Sequence, residues 1–158
     1  MTGWRLGAAI GPRQVAQAIA KLNTNDESCT THFVQYAGVE ALQGDQSGSQ
    51  QILAELRARR DVAVDMLRTI DGISLHKPET TFYLFPNVTR VMAKMGFEDV
   101  SDFANAALKN AGVSFCTRKH FGRPQPDEKE HYIRLAYSGI SVENIRAGLG
   151  SLKAWIDQ

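Results

Sequence analysis

The sequence predicts an α+β fold: a two-layer domain from about residue 48 onward, preceded by a strand-helix-helix segment over residues 1–47. Three observations lead there. Short apolar runs of strand type are interspersed with longer stretches whose apolar residues recur at helical spacing. A small, polar, glycine-bearing stretch, Gly44-Asp45-Gln46-Ser47-Gly48-Ser49, separates the first part from the rest. Finally, 158 residues with 43% hydrophobic content can bury a sizeable core. A strand and two helices, by contrast, cannot easily close a core of their own.

The elements follow in order. Trp4 to Ile10 reads as a short buried strand ended by Gly11-Pro12. Proline suits the first turn of a helix, and Val15, Ala18, Ile19 and Leu22 recur at helical spacing, which predicts a helix from Pro12 to Leu22 or Asn23. The polar run from Asn23 to Thr31 is a loop, because Asn, Asp and Thr side chains compete with regular backbone pairing. A second helix runs from Thr31 to Leu42 and is stopped by Gly44. Beyond the boundary lies the longest helix, with Ile52, Leu53, Leu56, Ala63, Leu67 and Ile70 on one face, ended by Asp71-Gly72. Strands are expected at Ile73 to His76, Thr81 to Phe85 and Val113 to Thr117, with a fourth at His131 to Ser138. Ser101 is expected to cap a helix carrying Phe103, Ala104, Ala107, Leu108 and Ala111. Ser141 opens the last helix, where Ile140 and Ile145 can form a hydrophobic staple and Val142, Ile145, Leu149, Leu152 and Ile156 make the buried stripe.

Composition excludes several roles. With 18 basic and 17 acidic side chains the net charge is +1, so neither nucleic acid nor an anionic membrane is expected as a main partner. No apolar run reaches membrane-spanning length and no basic-then-apolar leader precedes a cleavage site, so a cytoplasmic location is expected. Cys29 and Cys116 read as reduced thiols. His32, His76, His120 and His131 share no ligand spacing with each other or with the cysteines, so no metal is expected. Arg118, Lys119, His120 and Arg123 around Phe121 read as a solvated loop. No serine, histidine and acid form a nucleophile elbow.

Two arginines stand out. In a strand, Ile133, Leu135 and Tyr137 share one face while Tyr132, Arg134 and Ala136 share the other. Arg134 there either snorkels at the sheet rim, forms a structural ion pair, or meets an acidic ligand in a partly dry site. Arg5, flanked by Gly3 and Gly7, either sits in water or offers a permanent charge where backbone can approach a phosphate.

Met1-Thr2-Gly3-Trp4-Arg5-Leu6-Gly7, Thr81-Phe82-Tyr83-Leu84-Phe85-Pro86 and Ile133-Arg134-Leu135-Ala136-Tyr137-Ser138 together resemble the C-terminal part of a fold-type-I, pyridoxal-phosphate-dependent aminotransferase of class I/II, of the aspartate aminotransferase kind. The resemblance runs from Met1 to the final helix. It implies that residues 1–47 belong to the large cofactor-binding domain and residues 48–158 form the small C-terminal domain, entered by a long interdomain helix. It implies a transferase that moves an amino group between an amino acid and a 2-oxo acid, and a homodimer. Arg5 would contact the cofactor phosphate, Arg134 would take the substrate α-carboxylate, and Thr80 and Phe82 would border the substrate. The family's lysine, which carries the cofactor, stands eight residues before the Thr-Gly-Trp-Arg arginine. Counting back from Arg5 passes Met1, so no catalytic residue is expected in this chain. The chain alone is then expected to be inactive and to bind no pyridoxal phosphate, the cofactor belonging to the intact enzyme.

Some positions depart from the pattern. Pro78-Glu79-Thr80-Thr81 places Thr80 where the family usually has glycine, which narrows the approach to the backbone. Ala8 stands where tyrosine is common, and Cys116-Thr117-Arg118 replaces a Pro-Gly turn before the matching Phe121-Gly122. Gln35, Ala37 and Ala41-Leu42 match weakly a helical pattern near the family's dimer interface. Two other readings stay open: a lyase, decarboxylase or synthase on the same scaffold, and a non-catalytic binding or assembly domain that keeps the fold.

Overall fold

In the computed structural model, which describes residues 3–123, 125 and 127–158, Pro12 marks the junction between irregular chain and helix α1 (Arg13–Asn23). Its ring presets the backbone for a first helical turn and removes a donor that would have no partner there. The expected strand over residues 4–10 does not form. Residues 3–5 make a turn, and the chain then runs without regular structure and largely exposed to Ile10. A strand needs a ladder partner, and none pairs with it among the described residues.

The chain divides into two compact units, Met1–Gln51 and Ile52–Gln158. In the first unit, α1 is followed by a turn-rich loop and by α2 (His32–Gln43), which starts after Thr31 and ends at Gly44. Leu6 lies against α2 at Gly38: a Cβ there would meet Leu6 Cδ2 at 2.7 Å, so any side chain at this position would oblige Leu6 to move. Trp4 and Phe33 meet edge to face with centroids 5.7 Å apart.

Helix α3 (Ser47–Arg68) begins inside the glycine-bearing stretch, where the Asp45 carboxylate accepts from the Ser47 backbone N–H at 3.0 Å. The division between the units falls within this helix. Its apolar face is buried only toward the C-terminal end, at Ala63, Val64 and Leu67, while Ile52 and Leu53 are exposed.

The second unit holds an antiparallel sheet in the order β1-β3-β2, with β1 (Tyr83–Leu84), β2 (Cys116–Thr117) and β3 (Ile133–Ala136). All three lie within expected strands but are shorter than them. Residues 73–76 contribute only a bridge from Ser74 to Asn87. Between β1 and β2 lie α4 (Thr89–Met95) and α5 (Val100–Ala111); α6 (Val142–Ile156) closes the chain and packs on α5.

Helix α4 has no counterpart among the expected elements. Asn87 Oδ1 accepts from Thr89 N at 2.9 Å, Val91 and Met92 turn into the core, and Gly96 ends the helix in the left-handed region at φ 75°. The cap of α5 is also corrected. Asp99, not Ser101, precedes the first turn, and its carboxylate accepts from Ser101 N at 2.6 Å. The cap of α6 is Ser141, whose Oγ accepts from Asn144 N at 3.2 Å. Phe103, Leu67, Ile133, Leu152 and Ile156 are among the side chains that fill the core between these helices and the sheet.

Candidate functional site

Arg134 lies on β3, the central strand, so its surroundings follow from register. β2 pairs Cys116 with Arg134, and β1 pairs Tyr83 with Ala136. Opposed residues in an antiparallel pair share a face. Tyr83 and Cys116 therefore flank Arg134 from its two sides, opposite the face on which Ile133 and Tyr137 are buried. The side chains meet as this predicts. The Arg134 guanidinium carbon lies 4.3 Å from the Tyr83 ring centroid and 4.6 Å from that of Phe121. Nη2 lies 3.6 Å from Cys116 Sγ, a weak acceptor.

No carboxylate pairs with Arg134 among the described residues, and the side chain is only half-buried. A structural ion pair is thereby set aside. What remains is a permanent cation seated on aromatic faces, with N–H donors left over for an anion.

Phe121 reaches Arg134 from the loop after the short 3₁₀ turn Arg118–His120. That loop is organised by Arg118. Its Nη1 donates to Phe121 O at 2.9 Å and Gly122 O at 3.3 Å, its Nη2 to Arg123 O at 3.2 Å, and its Nε lies 2.9 Å from Glu128 Oε1. Gly122 takes φ 95°, a conformation that side chains disfavour. The basic cluster expected to be a solvated loop thus contains one arginine committed to shaping it. Lys119 pairs with Asp99 at the start of α5 and ties the same turn to that helix.

Thr80 and Phe82 sit apart from the guanidinium. Thr80 is exposed and borders a cavity of about 90 Å³ with Leu56, Arg60 and Tyr137. Phe82 is half-buried, packs against the core, and its ring lies 4.6 Å from that of Tyr83. Thr81, between them, adopts φ 66°, and its carbonyl accepts from Tyr137 Oη at 2.9 Å. Burial pushes the Tyr137 phenol up, so it stays a donor. Arg5 belongs to the first unit. It is exposed in a turn at φ 56°, has no ion-pair partner among the described residues, and a Cβ at Gly3 or Gly7 would meet nothing within 4 Å. Met1 and Thr2 of the same motif lie outside the described residues.

The structure therefore gathers Arg134 with Tyr83, Phe121 and Cys116, whereas Thr80 borders a different cavity. Tyr83, Phe121 and Cys116 stand in segments that the sequence already marks, but nothing in their spacing places them around Arg134. The available signal was the period of two in Tyr83 and Phe85, usable only once the β1–β3 register was known. A separate cavity of about 250 Å³ lies on the other side of β3, lined by Leu135, Tyr137, Val113, Ile145 and Leu149 among others, and is mainly apolar. Among the described residues, no three His, Cys, Asp or Glu side chains come together as metal ligands, and no helix is long and apolar enough to cross a membrane.

The family described as aminotransferase class I and II matches residues 1–152. The asparagine–oxo-acid transaminase of Streptococcus mutans serotype c is 32% identical over 158 residues, covering 100% of this chain and 38% of that protein. The aspartate aminotransferase of Geobacillus stearothermophilus is 34% identical over 138 residues, covering 87% of this chain and 34% of its own length. Among solved structures, the aspartate aminotransferase from Rhizobium meliloti superposes with TM-score 0.72 at 30% identity, over 99% of this chain and 39% of the other. The alanine aminotransferase from Pyrococcus furiosus gives TM-score 0.76 at 26% identity, again over 99% and 39%. The chain thus spans well under half the length of the relatives that it matches.

Proposed function

This chain belongs to the class I and II aminotransferases, and we propose that it supplies an aminotransferase with the arginine that binds the α-carboxylate of an amino acid or 2-oxo acid. The observation that carries this reading is the state of Arg134: a permanent cation on a central strand, packed on two aromatic rings and paired with no carboxylate among the described residues. A planar guanidinium offers a carboxylate two parallel donors, and this fixes which way the amino or oxo carbon points.

The family depends on pyridoxal phosphate. When bound, that group supplies the electron sink for loss of the substrate α-proton. The residues present fit part of it. Arg5, exposed beside glycines whose surroundings are open, suits the phosphate dianion. Thr80 and Phe82 would then border the substrate, with the Thr80 side chain limiting how closely a ligand approaches the backbone. The domain reading follows the same lines: residues 1–47 as part of the cofactor-binding domain and residues 48–158 as the small domain. A homodimer in the cytoplasm fits the near-neutral charge and the free cysteines.

The test is binding to the chain itself. Titration with a 2-oxo dicarboxylate should shift the Arg134 side-chain Nε–H resonance saturably, and Arg134→Gln should abolish binding while leaving the rest of the spectrum in place. In parallel, inorganic phosphate should perturb Arg5 and spare Arg134. Carboxylate binding that survives in Arg134→Gln would sink the reading.

A further inference from the structure

We propose that Tyr83 and Phe121 are positioning residues that hold the Arg134 guanidinium ready for a carboxylate, and that Arg118 is the latch that keeps Phe121 in place. The inference rests on the reading of Arg134 as a carboxylate ligand and goes one step behind it.

An arginine side chain free to move carries rotamer freedom that it must lose each time it grips a ligand. Arg134 has no ion pair to fix it among the described residues. What restrains it is the pair of rings at 4.3 Å and 4.6 Å, together with the Cys116 sulfur at 3.6 Å. Ring faces attract a cation without consuming its N–H donors, as a carboxylate neighbour would. The guanidinium is therefore fixed and still available.

The two rings differ in how they are held. Tyr83 lies in β1, fixed by pairing with Ala136 on β3. Phe121 is in a loop, 42% exposed, and has no strand to hold it. Arg118 fills that gap. Its donors reach the carbonyls of Phe121, Gly122 and Arg123, and Glu128 closes the network from the far side. With its guanidinium so committed, Arg118 acts on the ligand only through Phe121.

The experiment reads two things in the 158-residue chain. One is the Arg134 Nε–H resonance, which ring currents should move away from its ordinary position. The other is the dissociation constant for a 2-oxo dicarboxylate. Phe121→Leu and Arg118→Gln should both return the resonance toward its ordinary position and weaken binding by ~5-fold, the size of one partly exposed cation–π contact. Phe121→Tyr should restore both. Phe121 is exposed, so its replacement should leave the core spectrum unchanged; a general loss of stability would move neither reading selectively. A wild-type resonance at its ordinary position, or unchanged affinity in Phe121→Leu and Arg118→Gln, overturns the proposal. A ring-current shift that both variants remove, with no response to carboxylate in any protein, overturns the carboxylate reading of Arg134 and supports the aromatic seat alone.

Discussion

Thr81 adopts a backbone conformation that its own side chain opposes. A β-branched residue at φ 66° brings Cβ close to the carbonyl oxygen, which costs about 1–2 kcal/mol. The surroundings hold it there: the Tyr137 hydroxyl donates to the Thr81 carbonyl, and the next residue's carbonyl accepts from Tyr137 N at 3.1 Å. The position of this strain also bears on Thr80, which stands where the resembling family usually has glycine. Thr80 is not among the residues with positive φ, so the left-handed demand falls one residue later. Thr81→Gly should therefore raise stability by about 0.5–1 kcal/mol, the relieved strain exceeding the extra chain entropy of glycine. Thr80→Gly, with no such strain to relieve, should lower stability slightly or leave it unchanged. Equilibrium urea unfolding of the two variants checks this; the opposite order would mean that Thr81 is not strained. At this scale Arg134 was legible, because a charge breaking an apolar strand has few explanations. Its aromatic seat was not, because Tyr83 and Phe121 reach it through pairing and loop shape rather than through spacing.

The helices were legible wherever amphipathic period and terminal chemistry agreed. Ser141 with Ile145, Leu149, Leu152 and Ile156 is such a case, and the helix begins and buries its face as those residues require. The strands fared worse in extent. Two or four paired residues carry too little period to set their own ends, which depend on the partner's length. Helix α5 shows how a near miss arises: Asp99 and Ser101 both have capping side chains, and geometry selected Asp99. The consequence is testable by pH. The Lys119 ammonium, joined by the Ser101 N–H, holds the Asp99 carboxyl at about 2 against an ordinary 3.8. A depressed carboxyl binds fewer protons folded than unfolded, so its contribution to stability is present above about 3.8 and is lost as pH falls through about 2. An NMR titration of the Asp99 carboxyl carbon should give a midpoint near 2, and Lys119→Met should raise it. A midpoint that stays at its wild-type value in Lys119→Met would remove Lys119 as the leading cause.

At the scale of the whole chain, the two units differ in how much they bury. The second has a continuous core that includes Leu67, Leu84, Met92, Phe103, Ile133 and Leu152. In the first, α1 has no buried residue and α2 has only Val34 and Gly38, while Ile10 is 99% and Leu42 86% exposed. Apolar burial is the main term that offsets chain entropy, so stability must be distributed as unevenly as the burial is. Hydrogen exchange followed by mass spectrometry should find the α1 amides exchanging fastest of the helices. Those in the core-facing turns of α5 and α6 should exchange most slowly. The exposed apolar side chains of the first unit supply a second arm to the measurement, because a surface of that kind favours association. If a second copy covers it, α1 protection should rise with protein concentration while that of α6 holds steady, since mass action stabilises only what the complex buries. Protection of α1 equal to that of α6 and independent of concentration would contradict the uneven burial. The first unit would then draw its stability from packing that its exposed side chains do not provide.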